Sequence, residues 1–217
     1  MHMMVGRHYG PAGLGIFNQV LAVFLFASQI AVFGVHLSAL QKVSVSALDL
    51  HTPEGHERCR IILTTSLLAT AAVALPTTLL AFLMAPLVGM LFHSPAAVTG
   101  WLAILPALPL MAFNKVILNT VNGLHHMRAY ALLSTSRYLL IVMFIAVGIA
   151  GDVSAEMIPV ALSAAEAALL PISASYLFPR LAPTRSHVSL AAMGEHIRFG
   201  AMGLIGGTVS ELNTKTD

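Results

Sequence analysis

Residues 61–92 read IILTTSLLATAAVALPTTLLAFLMAPLVGMLF and hold no Asp, Glu, Lys or Arg. As one helix this run would be about 48 Å long, whereas a hydrocarbon core of about 30 Å is crossed by about 20 residues. It is too long for one upright crossing, so Pro76 and Pro86 are expected to kink it, or its end to leave the core. The whole chain has the same character. It is 57% hydrophobic and 9% charged, with a mean hydropathy of +0.84. A soluble domain carries about 25% charged residues, and with so few the chain could not cover its surface in water. A net charge of +2 and a pI near 8.9 do not indicate a nucleic-acid binder. Cys59 stands alone, so no internal disulfide forms.

Outward from this run, further apolar segments lie at about 14–40, 97–117, 129–151 and 157–178, and another begins near Phe199. They are too numerous and too long for a secretory signal. They are apolar on nearly all faces, whereas barrel strands are about ten residues long and alternate in polarity. The expected fold is therefore all-α, a polytopic transmembrane helical bundle. Basic residues cluster on alternate connectors: Lys42, Arg58 and Arg60; Lys115, Arg128 and, slightly inside, Arg137; then Arg180, Arg185 and Arg198. Connectors 93–96 and 152–156 contain no Lys or Arg, and the amino-terminal stub has only Arg7. Cytoplasmic loops retain Lys and Arg. This places residue 1 outside, and loops 41–60, 115–128 and 179–198 in the cytoplasm, of a multi-pass protein of the cell (inner) membrane. The Gly/Pro-rich turn in RHYGPAGLGIFNQV (residues 7–20) then reads as an external connector with a helix expected upstream of it.

Polar residues inside the spans are the functional candidates. Asn18, Gln29 and His36 are spaced by 11 and 7 residues, which on one helix returns within about 20° of one line. The stripe suits a water-filled cavity; interhelical hydrogen bonding, worth about 0.6 kcal/mol each, is the plainer use. Tyr130, Ser134 and Arg137 share a face at i, i+4, i+7. Arg137 lies about 12 Å along its helix and Glu166 about 18 Å along the next, a difference an Arg side chain spans. The two can pair, either as a structural ion pair or as a substrate-facing cation beside a coupling carboxylate. In RFGAMGLIGGTVSELNTKTD (198–217) a Gly-rich half precedes Glu211, Lys215 and Asp217, which suits a polar central cavity or, more simply, an exposed tail. No metal-ligand, nucleophile–base or phosphate-loop spacing stands out, and GPAGLG lacks the preceding strand a phosphate loop needs.

Three stretches carry a resemblance. YGPAGLGIFNQV resembles the external turn leading into the second helix of the polysaccharide-flippase (Wzx-like) branch of the multidrug/oligosaccharidyl-lipid/polysaccharide exporter superfamily. Gly10, Pro11 and Gly15 match, and Ala12 replaces a frequent acid. NGLHHMRAYALLSTSRYLL is similar to the family's fourth-to-fifth connection. IRFGAMGLIGGTVSELNTKTD resembles the start of the seventh helix, with Arg198, Phe199 and Gly200 at its opening and Lys215 and Asp217 as the mid-span charged pair.

The resemblance implies twelve to fourteen helices in two bundles about a central cavity, of which this chain would supply helices two to seven, cut at both ends. Residues 1–178 would form the first bundle, 179–198 a cytoplasmic linker, and 199–217 the start of the second bundle. The implied activity is no enzyme reaction. It is translocation of a polyprenyl-pyrophosphate-linked oligosaccharide to the outer leaflet, for O-antigen, capsule or exopolysaccharide. Arg137 and Lys215 would hold the pyrophosphate, Asn18, Gln29 and His36 would line the cavity, and Glu166 and Asp217 would couple ion or proton movement. No cofactor is implied; the partners are the lipid-linked sugar, the bilayer and other membrane proteins of polysaccharide assembly. A multidrug/cation antiporter of the same superfamily and a membrane-embedded polyprenyl-sugar transferase, with the His125/Arg128 turn as its nearest site, are the alternatives.

Overall fold

The computed structural model describes residues 1–184 and 188–214, with 203–214 described by backbone alone. Among them all regular structure is helical. α1 (His2–Val32) is two helical pieces that meet at Gly10, where φ is 71° and ψ −174°. Glycine takes that conformation without a Cβ penalty, and Pro11 then starts the second piece with its φ already set. The first piece folds back on the second. The His2 and Phe17 rings meet edge-on at 5.9 Å, and a Cβ on Gly6 would stand 3.2 Å from Leu14. The Tyr9 hydroxyl closes the bend by donating to the Val153 carbonyl. The expected turn is thus a helical hairpin.

A second break follows at Phe33 and Gly34, both left-handed with φ of 45° and 66°, before α2 (Val35–Ser46). The expectation of one unbroken stripe from Asn18 to His36 is corrected here, because His36 stands on a separate helix. α3 (Pro53–Leu83) opens on the Thr52 hydroxyl, which accepts the Gly55 N–H at 3.0 Å. Pro76 is absorbed within α3. The chain breaks instead at Met84, just before Pro86, to begin α4 (Ala85–Phe92). Only one of the two prolines therefore ends a helix. Ser94 caps α5 (Pro95–Ile104), which bends at Leu105–Pro106 into α6 (Ala107–Gly123). α7 (Met127–Ala150) and α8 (Val160–Leu177) follow. α9 (Leu190–Thr214) starts at Leu190 rather than near Phe199, because Ser189 Oγ accepts the Ala192 N–H at 3.1 Å.

Among the described residues, five helical stretches are long and apolar enough to cross a membrane: His2–Val32, Pro53–Leu83, Pro95–Gly123, Met127–Ala150 and Ala155–Leu177. The chain is a polytopic membrane protein. α6 sits at its centre, packed against α1, α2, α3 and α8. Phe17, Phe24, Trp101, Ile104, Leu108 and Ile145 form one core cluster; Cys59, Leu63, Ile117, Leu118 and Leu177 form another nearer the basic connectors. Trp101 buries its ring and donates its N–H to the Ala81 carbonyl at 3.0 Å, so no indole donor is stranded in hydrocarbon. α7 is peripheral, with 11% of its apolar window buried, and turns Leu132, Leu139, Met143 and Val147 outward. Such a surface is compatible with lipid as solvent.

Candidate functional site

One flank of the bundle carries polar walls. α6 brings Lys115 and Asn119, α7 brings Tyr130, Ser134 and Arg137, and α2 brings His36, around a cavity of about 360 Å³. The i, i+4, i+7 spacing on α7 puts its three residues on this wall together. A neighbouring cavity of about 390 Å³ is more apolar, walled by Phe24, Met111 and Ile141, and shares Lys115 and Arg137 with the first. Gln29 and Glu166 also line it.

Arg137 and Glu166 form a nearly buried ion pair, their side chains 16% and 4% exposed. Arg137 Nη2 donates to Glu166 Oε2 at 3.2 Å. Its Nε stands 3.0 Å from Oε1 with the N–H turned off that line. Asn114, fully buried on α6, donates from Nδ2 to Glu166 Oε2 at 2.7 Å and to the Glu166 backbone carbonyl at 2.9 Å. Ser173 Oγ stands 3.2 Å from Asn114 Oδ1 and 3.0 Å from the Leu170 carbonyl, two acceptors that share its one proton. A lone charge at this depth costs about 2.5–3.5 kcal/mol or more; pairing and hydrogen bonding offset that for both partners.

The other residues singled out from the sequence divide. Gln29 and His36 reach the cavities from separate helices, and His36 keeps a buried Nδ1 with no hydrogen-bond partner among the described residues. Asn18 is exposed on α1 and lines neither cavity. Lys215 and Asp217 lie outside the described residues, as does the side chain of Glu211. The sequence reading groups Lys115 with the third-to-fourth connector, whereas the structure puts it in the cavity wall. α6 runs on to Gly123, which sets Lys115 about 12 Å inside the helix end. The same reading passes over Asn114 and Asn119. The signal was there in FNKVILN (113–119), a cation and two amides inside an apolar run.

A second polar cluster joins α9 to the bundle. His196 is 1% exposed; its Nδ1 meets Ser38 Oγ at 2.9 Å and its Nε2 meets Thr65 Oγ1 at 3.1 Å. Lys42 pairs with Glu195 at 2.8 Å beside it. The Gly200 backbone lies directly against Phe33 and Gly34, with no room for a side chain. Among the described residues no group of three His, Cys, Asp or Glu side chains converges to hold a metal ion.

One protein-family model, described as "Polysaccharide biosynthesis protein", matches residues 3–217. No curated protein and no solved structure matches the chain at a significant level.

Proposed function

The chain belongs to the polysaccharide biosynthesis protein family, and from that premise we propose that it flips a polyprenyl-pyrophosphate-linked oligosaccharide across the cell membrane for surface polysaccharide assembly. The observation that carries this reading is the pair of cations, Lys115 and Arg137, on the wall of a polar cavity inside an otherwise apolar bundle. A diphosphate needs charges that persist where water is scarce, and a guanidinium never loses its proton there. The second, apolar-walled cavity suits the first isoprene units, and the amide and hydroxyl groups of Asn119, Ser134 and Gln29 suit sugar hydroxyls.

In this reading Arg137, Lys115 and Lys215 bind the pyrophosphate, Gln29 and His36 line the path while Asn18 stands apart from it, and Glu166 and Asp217 are the carboxylates that couple ion or proton movement. Residues 1–178 form one bundle, α9 opens a second, and rocking between bundles alternates access. The basic connectors face the cytoplasm and the lipid-linked sugar enters from that side. The protein is a transporter and performs no bond chemistry.

The test is replacement of Arg137 and Lys215 by Ala in the native gene, with surface polymer measured by immunoblot and membrane level of the protein measured in parallel. Loss of polymer at unchanged protein level is the expected result. Retained export removes both residues from the pyrophosphate site, and lost drug tolerance with retained export identifies a cation antiporter instead.

A further inference from the structure

Asn114 has no role in the reading above, yet it grips the carboxylate that grips Arg137. Its Nδ2 makes both bonds to Glu166, one to the side chain and one to the backbone, so the residue is tied to α6 at two points. The two acceptor oxygens of Glu166 hold the Nδ2 end of the amide toward them, which leaves Oδ1 beside the Ser173 hydroxyl at 3.2 Å. Adjacent residues on a helix diverge by about 100°. Asn114 therefore turns into the α8 contact, while its neighbour Lys115 lines both cavities. Arg137 lines both cavities as well, and Glu166 only the second.

We propose that Asn114, braced by Ser173, is a positioning residue for Arg137: by holding Glu166 of α8 against α6 it sets the guanidinium at the cavity wall before an anionic diphosphate arrives. The identity of the ligand rests on the proposed function; the clamp does not. Prepaid ordering of a long side chain is where such an arrangement gains affinity. A purely structural Asn114 would hold the helices together and leave Arg137 as it is.

The experiment uses the purified full chain in lipid nanodiscs, with inorganic pyrophosphate as the probe. N114A weakens pyrophosphate binding about tenfold, the expected consequence of losing a hydrogen bond to a charged group, and has no further effect in an R137A background. S173A shows a smaller loss that S173T restores. The Arg137 Nε–H signal, assigned in ¹⁵N-arginine-labelled protein with R137K, shifts and exchanges faster with water in N114A. A lowered melting temperature with unchanged pyrophosphate affinity and an unmoved Arg137 signal overturns the proposal. If R137A leaves pyrophosphate binding as it was, the diphosphate reading fails; the Arg137 signal then decides the clamp, sustained if N114A moves it and overturned if not. Should N114A not fold, the S173A and S173T pair decides the clamp in its place, through the same Arg137 signal.

Discussion

A carboxylate within hydrocarbon is tolerated through its partners, and Glu166 has two. Removing one member of a buried pair costs about 3–5 kcal/mol, because the survivor is left uncompensated, whereas replacing both with apolar groups is often near neutral. E166A is accordingly expected to lower the melting temperature in detergent more than the double variant R137M/E166M, although both abolish transport. Equal melting for the two would mean the charges are solvated rather than paired. His196 responds to pH in a defined direction. It precedes the apolar part of α9, and burial, reinforced by the charge of Lys42, lowers its pKa to about 4, with Glu195 opposing. The folded chain keeps this ring neutral and bonded to Ser38 and Thr65, while the unfolded chain protonates it below about 6.5. Its contribution is thus complete above pH 6.5 and declines as the pH falls toward 4, by at most a few kcal/mol. H196Q should flatten the acid side of the stability–pH curve measured by thermal unfolding; a curve of unchanged slope would assign the acid loss to other groups.

At the level of elements, the joints matter more than the rods. Each long apolar run was readable as a helix, because a charge-free stretch has no other way to satisfy its backbone in lipid. The breaks were less readable. Pro76 and Pro86 look alike in sequence, but a helix keeps the first and ends before the second, since neighbours and cap geometry decide between them. The left-handed Phe33 carries no local signal beyond the Gly34 that follows it. The break there moves His36 out of line with Gln29. The same joint receives α9, whose Gly200 packs its backbone against Phe33 and Gly34. G200V would drive a side chain into the Phe33 carbonyl and push α9 away from α2. The Lys42–Glu195 contact reports this. A short bis-maleimide linker should bridge K42C and E195C readily in the parent chain and sparsely with G200V. Equal cross-linking would show that α9 is held at His196 alone.

For the whole molecule, the helical bundle was legible in the sequence and the polar flank only partly so. The α7 face of Tyr130, Ser134 and Arg137 follows from spacing within one helix, and it lines one cavity in the structure. Lys115 was obscured by the charge asymmetry itself, since a cation near a predicted helix end reads as a loop cation until the helix proves longer. Asn114 was invisible because its role lies in a contact with a residue 52 positions later in the chain. What remains is the direction of threading. Connector 47–52 adjoins Arg58 and Arg60, whereas connector 151–154 has no Lys or Arg of its own and only Arg7 of the amino-terminal piece on its side; translocation retains Lys and Arg on the cytoplasmic side. Moving Lys115 and Arg137 from the connectors to the interior weakens this asymmetry but does not reverse it, since Lys42, Arg58, Arg60, Arg128, Arg180 and Arg198 still share one end. Single cysteines at two exposed positions, H51C and D152C, in a chain whose buried Cys59 is replaced by Ser, test the direction. A membrane-impermeant maleimide added to intact cells should modify D152C at once and H51C only after permeabilisation. The opposite pattern would turn the cavity's cations toward the wrong leaflet for loading a substrate made in the cytoplasm, and the flipping direction proposed above would fall with it.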